Sequence, residues 1–114
     1  MQKSRLIALS AVAAAIFVCG DRLRAQQGSF FEIGIGNRSC EHWLSEARLE
    51  QEGIAYILGF WSGLNMTSAN NRNVGRGRDL ESIVGEVRKV CSSRPSMDLI
   101  DAAADAYETM AKAK

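Results

Sequence analysis

The stretch Ile54-Ala55-Tyr56-Ile57-Leu58-Gly59-Phe60-Trp61-Ser62-Gly63-Leu64-Asn65-Met66 is apolar on nearly every side. A helix without a polar face belongs at the buried centre of a bundle, and one of this length is too short to cross a membrane. Ala55, Gly59 and Gly63 recur every four residues and form a small-residue strip where a neighbouring backbone can approach closely. Each glycine costs up to about 1 kcal/mol relative to alanine in a helix, so packing is the simplest account of the strip.

Toward the N-terminus, Gly53 is expected to separate this helix from an earlier one. That first helix starts after an N-cap at Ser39 and runs to about Gln51. Cys40, Trp43, Leu44 and Ala47 stand at i, i+3, i+4 and i+7, a single apolar stripe. Residues 26–38 form an arm with Phe31, Ile33 and Ile35 at alternate positions and Gly34 and Gly36 among them, which predicts a short strand or an extended segment laid on the core. Toward the C-terminus, Thr67 to Arg78 is a polar loop carrying Arg72, Arg76 and Arg78. Asp79 then offers an N-cap for a third helix with Leu80, Ile83, Val84, Val87, Val90 and Cys91 on its apolar face. Pro95 stops that helix and Ser96 can cap a fourth, whose stripe is Met97, Ile100, Ala104, Tyr107 and Ala111. The expected fold is a small all-α, four-helix bundle-like domain over residues 39–114.

Residues 1–25 read as a secretory signal peptide, with Lys3 and Arg5 ahead of an uncharged run from Leu6 to Gly20 and a cut after Ala25. A run of 15 residues falls short of the roughly 18–20 that span a bilayer, so no stable membrane insertion is expected. Lipidation at Cys19 is the second reading; Val18 before it is bulky for that signal. Export puts the chain in the periplasm. The whole sequence of 114 residues has a formal net charge of +1, whereas residues 26–114 carry ten basic and twelve acidic side chains. Neither balance supports nucleic-acid binding, which rests on a basic excess. Cys40 and Cys91 are the cysteines outside the export segment, and an even pair in a small exported chain reads as one disulfide. Two buried free thiols are the alternative.

The residues argue against an enzyme. His42 is the only histidine, the cysteines lack the two-residue spacing of a redox or zinc site, and Gly34-Ile35-Gly36 and Gly75-Arg76-Gly77 are too short for a phosphate loop. No catalytic residue, cofactor or metal ligand is assigned. Asp98, Asp101, Asp105 and Glu108 fall on one arc of the fourth helix, either a solvated face or a pH-responsive surface. The Arg72–Arg78 loop reads as a solvated loop or an anion-binding stretch.

The order Ser39-Cys40-Glu41-His42-Trp43, then Tyr56-Ile57-Leu58-Gly59-Phe60-Trp61-Ser62-Gly63-Leu64-Asn65, then Asp79-Leu80-Glu81-Ser82-Ile83-Val84 and the closing Cys91 resembles the HdeA/HdeB family of small periplasmic acid-stress chaperones. The resemblance covers roughly Cys40 to Lys114. It implies a helical bundle clasped by a Cys40–Cys91 disulfide and a homodimer at neutral pH. In acid it implies partial unfolding that exposes apolar surface and holds clients without ATP. Tyr56, Phe60, Trp61 and Leu64 would supply that surface by position. A neighbouring resemblance, to immunity proteins that neutralise secreted peptidoglycan amidases, implies instead a rigid module binding one protein partner, through Trp43 or the arginine loop.

Overall fold

The computed structural model describes residues 31–68 and 72–113. The chain divides into two units, residues 1–31 and residues 32–114, and all helices described belong to the second. The export segment 1–25 and Cys19 lie outside the described residues, as do residues 26–30 of the arm.

A 3₁₀ turn over Gly34–Asn37 precedes four α-helices: α1 (Cys40–Trp43), α2 (Ala47–Thr67), α3 (Leu80–Ser93) and α4 (Leu99–Lys112). The all-α class is as the periodicity predicts. Among the described residues there is no strand, only one antiparallel bridge between Ser39 and Asp98. The arm does not alternate. Ile35 is buried and Ile33 is 76% exposed, because the 3₁₀ turn, closed by the Arg38 N–H donating to the Ile35 carbonyl at 3.0 Å, directs Ile35 alone into the core.

Helix α1 begins where the cap predicts: the Ser39 hydroxyl accepts from the His42 N–H at 3.2 Å. It lasts only one turn. The expected helix to Gln51 and the break at Gly53 are both corrected, since the chain breaks at residues 44–46 and α2 runs unbroken through Gly53. The break lets Trp43 fold back over α2, where its indole Nε1 donates to the Glu50 carbonyl at 3.0 Å. A Cβ on residue 53 would stand well inside van der Waals contact with that indole. Glycine at 53 is therefore a packing requirement of Trp43 rather than a helix stop.

Helix α3 keeps its predicted limits, with the Asp79 carboxylate accepting from the Ser82 N–H at 2.8 Å and Val84, Val87 and Cys91 buried. The fourth helix starts later than predicted, with Asp98 rather than Ser96 at the cap position. The Met97–Asp98 backbone is taken up by pairing: Cys40 N–H donates to the Met97 carbonyl at 2.8 Å and Leu99 N–H to the Arg38 carbonyl at 2.9 Å. Beside this pairing, Cys40 and Cys91 form a disulfide across 51 residues, with Cα atoms 5.3 Å apart. Closing a loop of that length contributes about 4 kcal/mol.

The core also differs in emphasis from the sequence reading. The most deeply buried helix is α4, which inserts Leu99, Ile100, Ala102, Ala103, Ala106 and Tyr107, whereas α2 buries Leu49, Gly53, Ile57 and Trp61 along one side. The alanines of α4 explain this, because small side chains let the helix sit close to its neighbours. The strip Ala55, Gly59 and Gly63 faces the other way: a Cβ on Gly59 or Gly63 would meet nothing within 4 Å among the described residues.

Candidate binding surface

Two features of the described residues bear on binding: the half-covered flank of α2 and the arginine loop beside it. On α2, Tyr56, Phe60 and Leu64 are half-buried and pack on the core, with Tyr56 and Phe60 stacked at 6.2 Å between ring centroids. Trp61 is only 3% exposed, so its indole is closed off in the folded chain. It lies edge-on to Tyr107 at 5.0 Å and its Nε1 donates to the Val74 carbonyl at 2.8 Å. Trp43, one of the two features expected to serve a partner-binding module, is fully buried under Gly53 and Arg88, whose guanidinium lies 5.0 Å from the ring centroid. That assignment is corrected: the ring is core, held by its own hydrogen bond.

The loop is anchored by a residue to which the sequence reading gave no role. The Asn65 side chain brackets Val74, accepting from its N–H at 3.1 Å and donating to its carbonyl at 3.2 Å. The same Asn65 oxygen accepts from the Tyr107 hydroxyl at 2.8 Å. An asparagine amide offers one donor and one acceptor in the spacing of a peptide group, so it pairs with backbone as a strand would. The only advance signal was a polar residue near the end of an otherwise apolar helix. Two tight turns follow, with Arg76 N–H donating to the Asn73 carbonyl at 3.1 Å and Arg78 N–H to the Gly75 carbonyl at 2.9 Å. Gly75 has φ of 87° and lies against Ile83 and Trp61, a conformation and a fit that favour glycine.

The three loop arginines have different fates. Arg72 stacks over the Tyr107 ring at 5.4 Å and forks onto Glu108 at 3.1 and 3.2 Å. That hydrogen bond raises the Arg72 pKa and holds the Glu108 carboxyl below its ordinary range. Arg76 and Arg78 are exposed and form no ion pair among the described residues.

The acidic arc of α4 is divided in the same way. Glu108 is bound to Arg72 and Asp105 to Arg94. Asp98 and Asp101 instead share their end of α4 with Glu32, which sequence reading did not single out. Enclosure first, then the charges of Asp101 and Asp98, raise the Glu32 pKa. Its Oε2 is enclosed without a hydrogen-bond partner among the described residues. Glu32 also adds to burial in raising the Tyr56 pKa.

Among the described residues no group of His, Cys, Asp and Glu side chains could hold a metal ion, and no helix is long and apolar enough to cross a membrane. What these surfaces offer is apolar contact on α2 and positive charge on a fixed loop. Comparison of the chain with protein-family models, curated proteins and solved structures finds no match.

Proposed function

We propose that this is an exported, non-enzymatic binding protein that acts in the periplasm as an acid-activated, ATP-independent holdase, in the manner of the HdeA/HdeB chaperones it resembles. One observation carries the reading: two carboxylates of the acidic arc, Asp105 and Glu108, are spent on arginines outside α4 and fasten that helix to the rest of the fold. Protonating them removes both fastenings. The helix they hold covers Trp61 through Tyr107, so loosening it uncovers the apolar side of α2, with Tyr56, Phe60 and Leu64 already half-exposed beside it. The Cys40–Cys91 bond keeps the remainder together.

The neutral-pH form is a homodimer in this reading, and sedimentation across pH 7 to 2 measures its dissociation. The deciding assay is suppression of client aggregation at about pH 2–3, where nearly all carboxylates are protonated. Suppression there and none at pH 7 supports a holdase. A chain that stays folded and monodisperse in acid and protects no client discards it. Mass spectrometry of the exported protein reports cleavage after Ala25, or a lipidated Cys19 in its place.

A second reading has one observation in its favour. Arg76 and Arg78 form no ion pair among the described residues and stand on a loop held by Asn65, which suits a module that binds a single protein partner. Capture of one stoichiometric periplasmic protein at pH 7 favours an immunity- or inhibitor-type module, and promiscuous capture confined to acid favours the holdase.

A further inference from the structure

Between α2 and the arginine loop lies a groove of about 350 Å³. Its lining is apolar at Leu58 and Ile83 and polar at Ser62, Asn73 and Arg76, with the buried Trp61 behind it. We propose that this groove is a peptide-binding site that takes, at neutral pH, an apolar side chain of a protein partner together with an adjacent carboxylate.

Three observations carry the assignment. First, Arg76 is the single formal charge in the lining, and no carboxylate lines the groove among the described residues. Arg72 is consumed by Glu108 and Tyr107, whereas Arg76 has no ion pair or side-chain hydrogen bond among the described residues. A guanidinium in a partly apolar lining matches a carboxylate, to which it can donate two parallel hydrogen bonds. Second, the wall bearing Arg76 is already ordered. Asn65 and Trp61 hold Val74 through three hydrogen bonds, and two turn bonds set the chain from Asn73 to Arg78. A wall fixed in advance spares a ligand the entropy of ordering it. Third, the volume lies at the small end of ligand pockets, fit for one or two side chains rather than a large cofactor.

Charge selects a protein over a membrane. Recognition of anionic lipid uses clusters of four to eight basic residues. Here Asp79 and Glu81 follow Arg78 directly, and residues 26–114 carry more acids than bases. The proposal rests on reading the chain as a protein-binding module and gives the single-partner alternative its surface. It does not depend on acid exposure of α2.

The test is fluorescence anisotropy at pH 7 with a labelled hexapeptide holding Leu and Phe between glutamates, a glutamine version, a lysine version, decanoate and vesicles containing anionic lipid. The expected result is saturable binding of the acidic peptide and none of the lysine peptide. Binding weakens about tenfold with the glutamine peptide or in Arg76→Gln, the worth of one charge-assisted contact. Amide NMR shifts should fall on residues 58–62, 73–76 and 83. Arg76 is exposed, so the variant folds, and far-UV circular dichroism checks it. No binding of the acidic peptide at millimolar concentration, equal binding in Arg76→Gln, or binding of decanoate or vesicles alone overturns the proposal. Aggregation suppression in acid uses the α2 side released from α4, so that assay can succeed where this one fails.

Discussion

The Trp43 indole fills the space that a side chain on Gly53 would need, ten residues along the chain and on the next helix. Gly53→Ala should therefore destabilise the fold despite the helix preference of alanine. Overpacking against a fully buried ring, at a cost of about 1–3 kcal/mol, outweighs the ~1 kcal/mol gained in helix propensity, and a net loss of up to about 2 kcal/mol is expected in urea unfolding. An unchanged or raised midpoint would show that the ring moves aside freely.

The Asn65 bracket makes a more local prediction. Asn65→Ala removes both hydrogen bonds to Val74 and leaves the Tyr107 hydroxyl without its acceptor. The expected cost is about 2–3 kcal/mol. Hydrogen exchange at the Val74 amide should speed up by more than at α3 amides, because the loop loses its anchor while the core stays packed.

Reduction of the Cys40–Cys91 bond should lower the unfolding free energy by about 4 kcal/mol, the loop-closure term for 51 residues. Denaturant unfolding with and without a thiol reductant measures it. If the two curves coincide, the crosslink does not restrain the unfolded chain.

Two carboxylates, Glu32 beside the start of α4 and Glu108 on it, predict opposite pH responses. The Glu32 pKa is raised above its ordinary 4.5, so its charged form weakens the fold at neutral pH and the penalty disappears as pH falls through that raised value. Glu32→Gln should raise the melting temperature at about pH 7 and leave it unchanged at about pH 3. The Glu108 pKa is depressed by Arg72, so its contribution is present above the ordinary value and lost as pH falls below it. Glu108→Gln should lower the melting temperature at about pH 7 and have no effect at about pH 2. Thermal melts of both variants check the signs, and a Glu32→Gln effect that grows in acid would contradict the assignment.

Much of the helical layout was legible because its signals are local. Ser39 and Asp79 cap their helices through hydrogen bonds to residues three positions on, a spacing visible in the sequence. The α3 stripe and the cysteine pair were equally plain. Gly53 misled because a glycine that admits a distant ring looks the same in sequence as one that stops a helix. The acidic arc misled for a related reason. Its arginine partners lie 36 and 11 residues away from Glu108 and Asp105, so helical spacing showed four like charges and hid the pairing of two of them. Asn65 and Glu32 stayed silent because their roles depend on loop and arm backbone that no periodicity describes.

The crosslink from Cys40 to Cys91 encloses α2 and most of α3 in one covalent ring and leaves α4 outside it. Undocking α4 therefore opens the core without opening the ring. The two enclosed helices stay within reach of each other, and recovery requires one tethered helix to find its groove again.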